Sequence, residues 1–208
     1  MMYQKMFKRV IDFVLALLGL IILSPLFLII ILSIKLDSKG PILFKQRRIG
    51  KNKKIFKIYK FRTMRVDTPS DAPTHLLKNP DFFITKTGKI LRKTSLDELP
   101  QLVNIVKGEM SIIGPRPALW NQYDLILERD KYGANDVHPG LTGLAQISGR
   151  DELSIKKKAS LDGLYIQKLS LLLDIKCFIR TIISVVKKEG LVEGETGSSK
   201  IQEVIKND

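Results

Sequence analysis

The chain has 208 residues, with 35 Lys and Arg against 21 Asp and Glu, a formal charge of +14. That length suits one domain with a sizeable core, or a compact domain with an anchor, and the charge favours anionic partners: lipid headgroups, nucleotides or nucleic acid. The lone Cys177 excludes an intramolecular disulfide framework and fits a reducing compartment; two histidines, His75 and His138, are too few for a His-built metal centre but leave open a hard cation such as Mg²⁺ on oxygen ligands.

The basic excess lies early. Residues 1–65 hold 15 Lys and Arg and only two acids, Asp12 and Asp37, so they carry +13 of the charge. Within them Phe13 to Ile34 is a run of 22 uncharged residues. As a straight helix it would reach roughly 33 Å, enough for a bilayer core of about 30 Å. Two features oppose a simple span. Ser24-Pro25 sits at its middle, where the proline deprives the Ile21 carbonyl of its donor and favours a kink, and the Ser24 hydroxyl is placed to bond that carbonyl. Both flanks are basic, with Lys5, Lys8 and Arg9 before and Lys35, Lys39, Lys45, Arg47 and Arg48 after, which keeps both ends on the cytoplasmic face. A helix bent at Ser24-Pro25 that enters and leaves one leaflet satisfies both; an ordinary kinked transmembrane helix is the alternative. A cleaved signal peptide fits poorly, because the run is long and no small-residue cleavage site follows.

Residues 40–65 interleave Phe56, Ile58 and Phe61 with Lys57, Lys60 and Arg62 and read as short strands or extended turns. Such a surface suits nucleic acid, but the adjacent anchor favours headgroups or a phosphate substrate. Residues 66–82 read as a loop or lid. Lys86 to Lys107 predicts a helical region broken near Ser95, 117–132 a further helix, Pro139 to Arg150 glycine-rich turns, and Ser154 to Lys168 a charged helix. Ser170 to Lys188 is amphipathic, with Leu171, Ile175, Phe178, Ile182 and Val185 at helical spacing. That pattern fits a helix in a membrane interface or one packed on a core. Residues 189–208, rich in Gly, Glu and Ser, read as a mobile tail.

Residues 95 to 117 carry the most chemical information. Asp97-Glu98 opens an apolar helical run, Arg92 precedes it, and Arg116 stands between Pro115 and Pro117. Ser95-x-x-Glu98 is also a capping-box pattern, so Glu98 can be read as a cap and Asp97 as a first-turn acid. The arginines point elsewhere. Arg92, Arg116 and Arg150 flank the acid pair, and Gly114-Pro115-Arg116-Pro117 holds its arginine on stiff backbone, as a preorganised phosphate clamp requires. A carboxylate pair facing fixed arginines suits chemistry on a phosphate, where one acid attacks and the other holds a metal. No G-x-x-x-x-G-K-[ST] loop is present, so ordinary nucleotide hydrolysis is not indicated.

From about Phe7 to Lys188 the chain resembles the bacterial sugar transferases, in particular the small monotopic polyprenyl-phosphate phosphoglycosyl transferases. The matching pieces are Lys8-Arg9-Val10-Ile11-Asp12, Ser24-Pro25, Gly40-Pro41 with Phe44, Gln46 and Arg48, Lys60 to Met64, Arg92, Ser95 to Gln101, Gly114 to Pro117, Pro139 to Arg150, and Asp162 with Tyr165. The resemblance implies an enzyme that moves a sugar-1-phosphate from a UDP-sugar to undecaprenyl phosphate and releases UMP, the first membrane step of glycan, capsule, O-antigen or glycoprotein assembly. It implies Asp97 as nucleophile, Glu98 as the acid that helps hold Mg²⁺, and Lys60, Arg92, Arg116 and Arg150 as phosphate-binding residues. The chain resembles the minimal form, without the extra N-terminal transmembrane segments of larger relatives. One departure is Ile155, where many members carry tryptophan.

The expected architecture is α+β and mostly helical: a re-entrant anchor over 1–36, a catalytic domain on the cytoplasmic face of the inner membrane over 37–188, with short strands and amphipathic interfacial helices, and the tail over 189–208. The expected partners are a UDP-sugar, undecaprenyl phosphate, membrane phospholipids and downstream glycosyltransferases, and no nucleic acid. The competing readings are a membrane-tethered basic module that binds nucleic acid and a non-catalytic scaffold of the same fold. The intact acid pair opposes the scaffold, which has no need of a nucleophile.

Overall fold

The computed structural model describes residues 7–68, 80–149 and 153–187. Helices α1 (Lys8–Ile22) and α2 (Ser24–Asp37) meet at Leu23 with a bend of 61°. The cause is local. Pro25 has no N–H to give the Ile21 carbonyl, and the Ser24 hydroxyl donates to that oxygen instead, at 2.8 Å. No single helix among the described residues is long and apolar enough to cross a membrane, whereas the bent pair passes that test of length and composition together.

Helix α1 is polar inside and apolar outside. Its buried positions are Lys8, Asp12 and Ala16, spaced by four. Lys8 Nζ lies 2.6 Å from Asp174 Oδ2 and 3.8 Å from Asp12 Oδ2, Asp12 accepts from the Ile112 N–H at 3.1 Å, and Tyr165 donates to Asp174 at 2.7 Å. This buried network ties α1 to the far end of the chain. Further along, Leu20, Leu23 and Phe27 pack on Ile58, Leu102, Ile105 and Met110, while Ile30 and Ile34 of α2 join Phe61 and Leu91. The opposite faces leave Val10, Ile22, Leu28, Ile29, Leu32 and Leu36 more than 60% exposed, an area far beyond scattered surface apolars.

Strands β1 (Leu43–Ile49) and β2 (Ile55–Phe61) form an antiparallel hairpin in which Phe44 faces Lys60 and Arg48 faces Phe56. Its turn, Lys51–Lys53, places Asn52 and Lys53 in the left-handed region. Phe44, Gln46, Arg48, Phe56, Ile58 and Lys60 therefore share one face, turned to the core and the site. The outer face is basic, with Lys45 and Lys107 flanking the Tyr59 ring.

Next come α3 (Pro80–Phe83), α4 (Lys86–Lys93), a 3-10 turn over Leu96–Glu98, and α5 (Gln101–Val106). They are followed by β3 (Ser111–Ile113), α6 (Tyr123–Asp130), β4 (Gly140–Thr142), α7 (Leu144–Ile147), α8 (Ile155–Gln167) and α9 (Leu171–Lys187). Thr85 caps α4 and Ser154 caps α8 through their hydroxyls. β3 and β4 pair in parallel as a second, separate two-stranded sheet. The class is α+β and mostly helical.

Two elements depart from the sequence expectation, and a third decides between its two readings. The helix expected over 117–132 shrinks to Tyr123–Asp130, because Ile49 N–H bonds Ala118 O at 2.9 Å and Arg48 bridges Leu119, drawing 118–119 onto the hairpin edge. The expected turns over 139–150 include β4 and α7. The apolar stripe of α9 faces outward: Leu171, Ile175, Phe178 and Ile182 are about half exposed, while Asp174 and Cys177 are buried and Thr181 bonds Thr142 at 2.8 Å. The core-packing alternative for that stripe is thus not taken. The expected loop at 66–82 shows a turn at 66–68 and a short helix from Pro80, and 69–79 lie outside the described residues, as does the tail over 189–208.

Candidate active site

The acid pair sits where the backbone changes hand. Ser95 closes on Arg92 O at 3.1 Å and adopts φ 56°, ψ 15°, a left-handed conformation unusual for a side-chain-bearing residue. The chain then runs through the 3-10 turn into Pro100 at the head of α5. This geometry overturns the capping-box reading. The Ser95 side chain makes no cap, and the Glu98 carboxylate lies on two cations instead. Glu98 Oε1 is 2.7 Å from Lys60 Nζ and 2.7 Å from Arg116 Nη2, and its Oε2 is 3.3 Å from Arg116 Nη1.

Lys60 reaches the pair because the hairpin register turns it inward at the end of β2. Its Nζ is 4.0 Å from Asp97 Oδ2. Arg116 reaches it from a loop held by close backbone packing. Gly114 N–H donates to Thr142 O and Gly140 N–H to Pro115 O, each at 2.8 Å. A Cβ on Gly140 would lie 2.1 Å from Gly114 N, and one on Gly143 2.1 Å from Gly114 O, so the contact requires glycine at both positions.

The two carboxyls, 13% and 18% exposed, are driven apart. Burial pushes Asp97 up, to about 6; the cation of Lys60 opposes the rise, the negative charge of Glu98 adds to it, and Arg92 and Arg116 oppose it further. Burial also acts to raise Glu98, but Arg116 and Lys60, through charge and hydrogen bonds, outweigh it and hold that carboxyl well below the carboxylate range. One acid is thus held ionised by its clamp and its neighbour is driven toward the neutral form, the split that separates roles in paired-acid sites.

Of the residues singled out in the sequence, the structure gathers Lys60, Asp97, Glu98 and Arg116. Arg92 acts on Asp97 through its charge, and its Nη1 lies 3.8 Å from Met64 Sδ. Arg150 lies outside the described residues. Sequence reasoning missed two members as parts of the site. Arg48 hydrogen-bonds Gln46 Oε1 through Nε and Nη2 and Pro117 O through Nη1, and burial followed by the like charge of Arg116 lowers its pKa to about 10. Arg129 donates to Arg116 O at 2.8 Å. Arg48 was visible in a basic run and as a piece of the family resemblance, with no role attached, and Arg129 only as one residue of the helix expected over 117–132.

No group of three or more His, Cys, Asp or Glu side chains gathers to hold a metal among the described residues. Mg²⁺ does not demand one: it is commonly held by one or two carboxylates together with substrate phosphate oxygens. Asp97 and Glu98 meet that requirement, with Glu98 Oε2, which has only the 3.3 Å contact, the freer oxygen of its carboxylate.

Residues 3–188 match the family described as bacterial sugar transferase. The exopolysaccharide production protein ExoY of Sinorhizobium fredii is 40% identical over 197 residues, covering 88% of this chain and 87% of that protein. The uncharacterized sugar transferase EpsL of Bacillus subtilis is 40% identical over 184 residues, covering 88% and 89%. The UDP-glucose:undecaprenyl-phosphate glucose-1-phosphate transferase of Klebsiella pneumoniae is 42% identical over 183 residues, which make up 85% of this chain but 39% of that longer protein. These matches define the class as enzymes that transfer sugar groups. The chain belongs to the bacterial sugar transferase family.

Proposed function

We propose that the protein transfers a sugar-1-phosphate from a UDP-sugar to undecaprenyl phosphate. The observation that carries this reading is the divided acid pair, Glu98 clamped by Lys60 and Arg116 beside a buried Asp97 of raised pKa. Relatives named for undecaprenyl-phosphate glucose-1-phosphate transfer and galactosyl transfer support the substrate class. In the first step an Asp97 carboxylate oxygen attacks the phosphorus that bears the sugar. The bond from that phosphorus to the bridging oxygen breaks, and UMP leaves with the electron pair. The resulting acyl phosphate divides one transfer between two bulky anions into two easier steps. In the second, a phosphate oxygen of undecaprenyl phosphate attacks the same phosphorus, and the aspartate leaves as a carboxylate.

Lys60, Arg92, Arg116 and Arg150 are the groups proposed to hold the phosphates, with Arg48 beside them. The positive charge of Lys60, Arg92 and Arg116, fixed in place, meets the charge that develops on the leaving UMP without reorganisation. Mg²⁺, held through Glu98 and phosphate oxygens, would supply further positive charge to the diphosphate. The outward apolar faces of α1, α2 and α9 support a seat in the cytoplasmic leaflet of the inner membrane, with the bent pair re-entrant. That seat fixes Asp97 near the depth of a lipid phosphate, a gain in proximity. The lipid-linked product would be the substrate of downstream glycosyltransferases.

The test is UMP release by protein in detergent or nanodiscs, with undecaprenyl phosphate, Mg²⁺ and a panel of UDP-sugars. Release that depends on the lipid phosphate with at least one UDP-sugar is expected. Absence of release across the panel would overturn the reading.

A further inference from the structure

The loop that carries Arg116 is short of donors. Pro115 and Pro117 have no N–H, so the main chain at those positions is anchored by its carbonyls. All three in succession are held. Pro115 O accepts from Gly140 N–H at 2.8 Å, Arg116 O from Arg129 Nη1 at 2.8 Å, and Pro117 O from Arg48 Nη1 at 3.0 Å. The middle one belongs to the residue whose side chain grips Glu98.

Arg129 is itself fixed. It lies on α6 with 4% exposure, and its Nε and Nη2 converge on Asp162 Oδ2 of α8 at 2.8 and 2.6 Å. Asp162 is 1% exposed. We infer that the buried Arg129–Asp162 pair is a positioning device for Arg116: the carboxylate orients the guanidinium plane, and the remaining edge of that plane sets the carbonyl from which the Arg116 side chain springs. Bridging two helices alone would need only complementary charge or a filled volume, and a buried ion pair is often no better for stability than apolar groups of the same size. What neither substitute provides is the planar fork, which serves an acceptor on each of two edges at once. A lysine in place of Arg129 keeps the charge opposite Asp162 and gives up the fork.

The inference rests on the proposed transfer for its kinetic readout, so the experiment carries a second readout that does not. UMP release is measured for wild type, Arg129→Lys, Arg116→Ala and the double variant, alongside their melting temperatures in the same detergent. Arg129→Lys is expected to fold and to lose about 10- to 100-fold in kcat, the scale of a displaced catalytic group. In the Arg116→Ala background the same change should cost no more than about twofold, because its target is gone. Full activity of Arg129→Lys, or an equal loss in both backgrounds, would overturn the inference. If Arg129→Lys does not fold, Arg129→Met/Asp162→Leu, which leaves no buried charge unpaired, takes its place with the same expectations. If wild type itself releases no UMP, the functional reading fails and the melting temperatures decide. Arg116→Ala should then shift the melting temperature less in the Arg129-substituted background than in wild type, and an equal shift would sink the positioning role.

Discussion

At the scale of single residues, the site separates two adjacent carboxyls by what surrounds them. Glu98 is matched to Lys60 and Arg116, whereas Asp97 keeps an ionisable carboxyl against burial and against its neighbour's charge. A charge held at a cost to the fold is a mark of function, because its removal should stabilise. Asp97→Asn is therefore expected to abolish turnover, by at least about 10⁴-fold, since an amide cannot serve as the nucleophile. The same change should raise the melting temperature by about 2–4 °C, the response to about 1 kcal/mol in a chain of this size. Turnover near the wild-type rate would sink the covalent mechanism, and a lowered melting temperature would contradict the account of the pair. Asp97, Glu98 and Arg116 stood out in the sequence because arginines flank the acid pair and one of them stands between two prolines. Arg129 and Asp162 did not reveal their pairing, because a contact between residues 33 apart leaves no local pattern.

Among the elements, the parallel contact of β3 and β4 sets the height of the Arg116 loop. Gly140→Ala would drive a Cβ to 2.1 Å from Gly114 N and 2.4 Å from Thr142 O, both backbone atoms that cannot step aside. A loss of about 3 kcal/mol or more is expected, read as a drop in the denaturation midpoint. A midpoint within error of wild type would show that the two strands have room to part. The break between α1 and α2 was legible in the sequence down to the Ser24–Ile21 bond, because proline chemistry is local. The shortening of α6 was not, since it follows from the pairing of Ile49 with Ala118 across the fold. If the break sets a re-entrant topology, Pro25→Ala restores a donor to Ile21 O and should give mixed topology, and Ser24→Ala/Pro25→Ala a clearer shift to spanning, with activity falling alongside. Labelling of Tyr3→Cys and Lys39→Cys in a Cys177→Ser background, in sealed vesicles of both orientations, measures this. Same-side labelling and full activity in both variants would assign the topology to the basic flanks instead.

Over the whole molecule, basic charge and burial bear on acid stability through His138. Burial first, then the charges of Arg9, Lys51 and Lys8, lower its pKa to about 4. The folded state thus takes up the His138 proton less readily than the unfolded chain, whose histidine titrates near 6.5. The stability tied to the neutral ring is complete above about pH 6.5 and is lost as pH falls from there through about 4. The effect is moderated by the ring's partial exposure. His138→Gln should flatten the decline in melting temperature between pH 7 and 5, and an unchanged slope would assign that decline to other groups. A different consequence follows from the Lys8–Asp174 bond, which joins residues 166 apart. The ribosome delivers the second about 10–30 s after the first, at about 5–20 residues per second. Throughout that interval the inner face of α1 has a lysine without its closest carboxylate, and desolvating such a charge is unfavourable. The final seating of α1 therefore waits on α9.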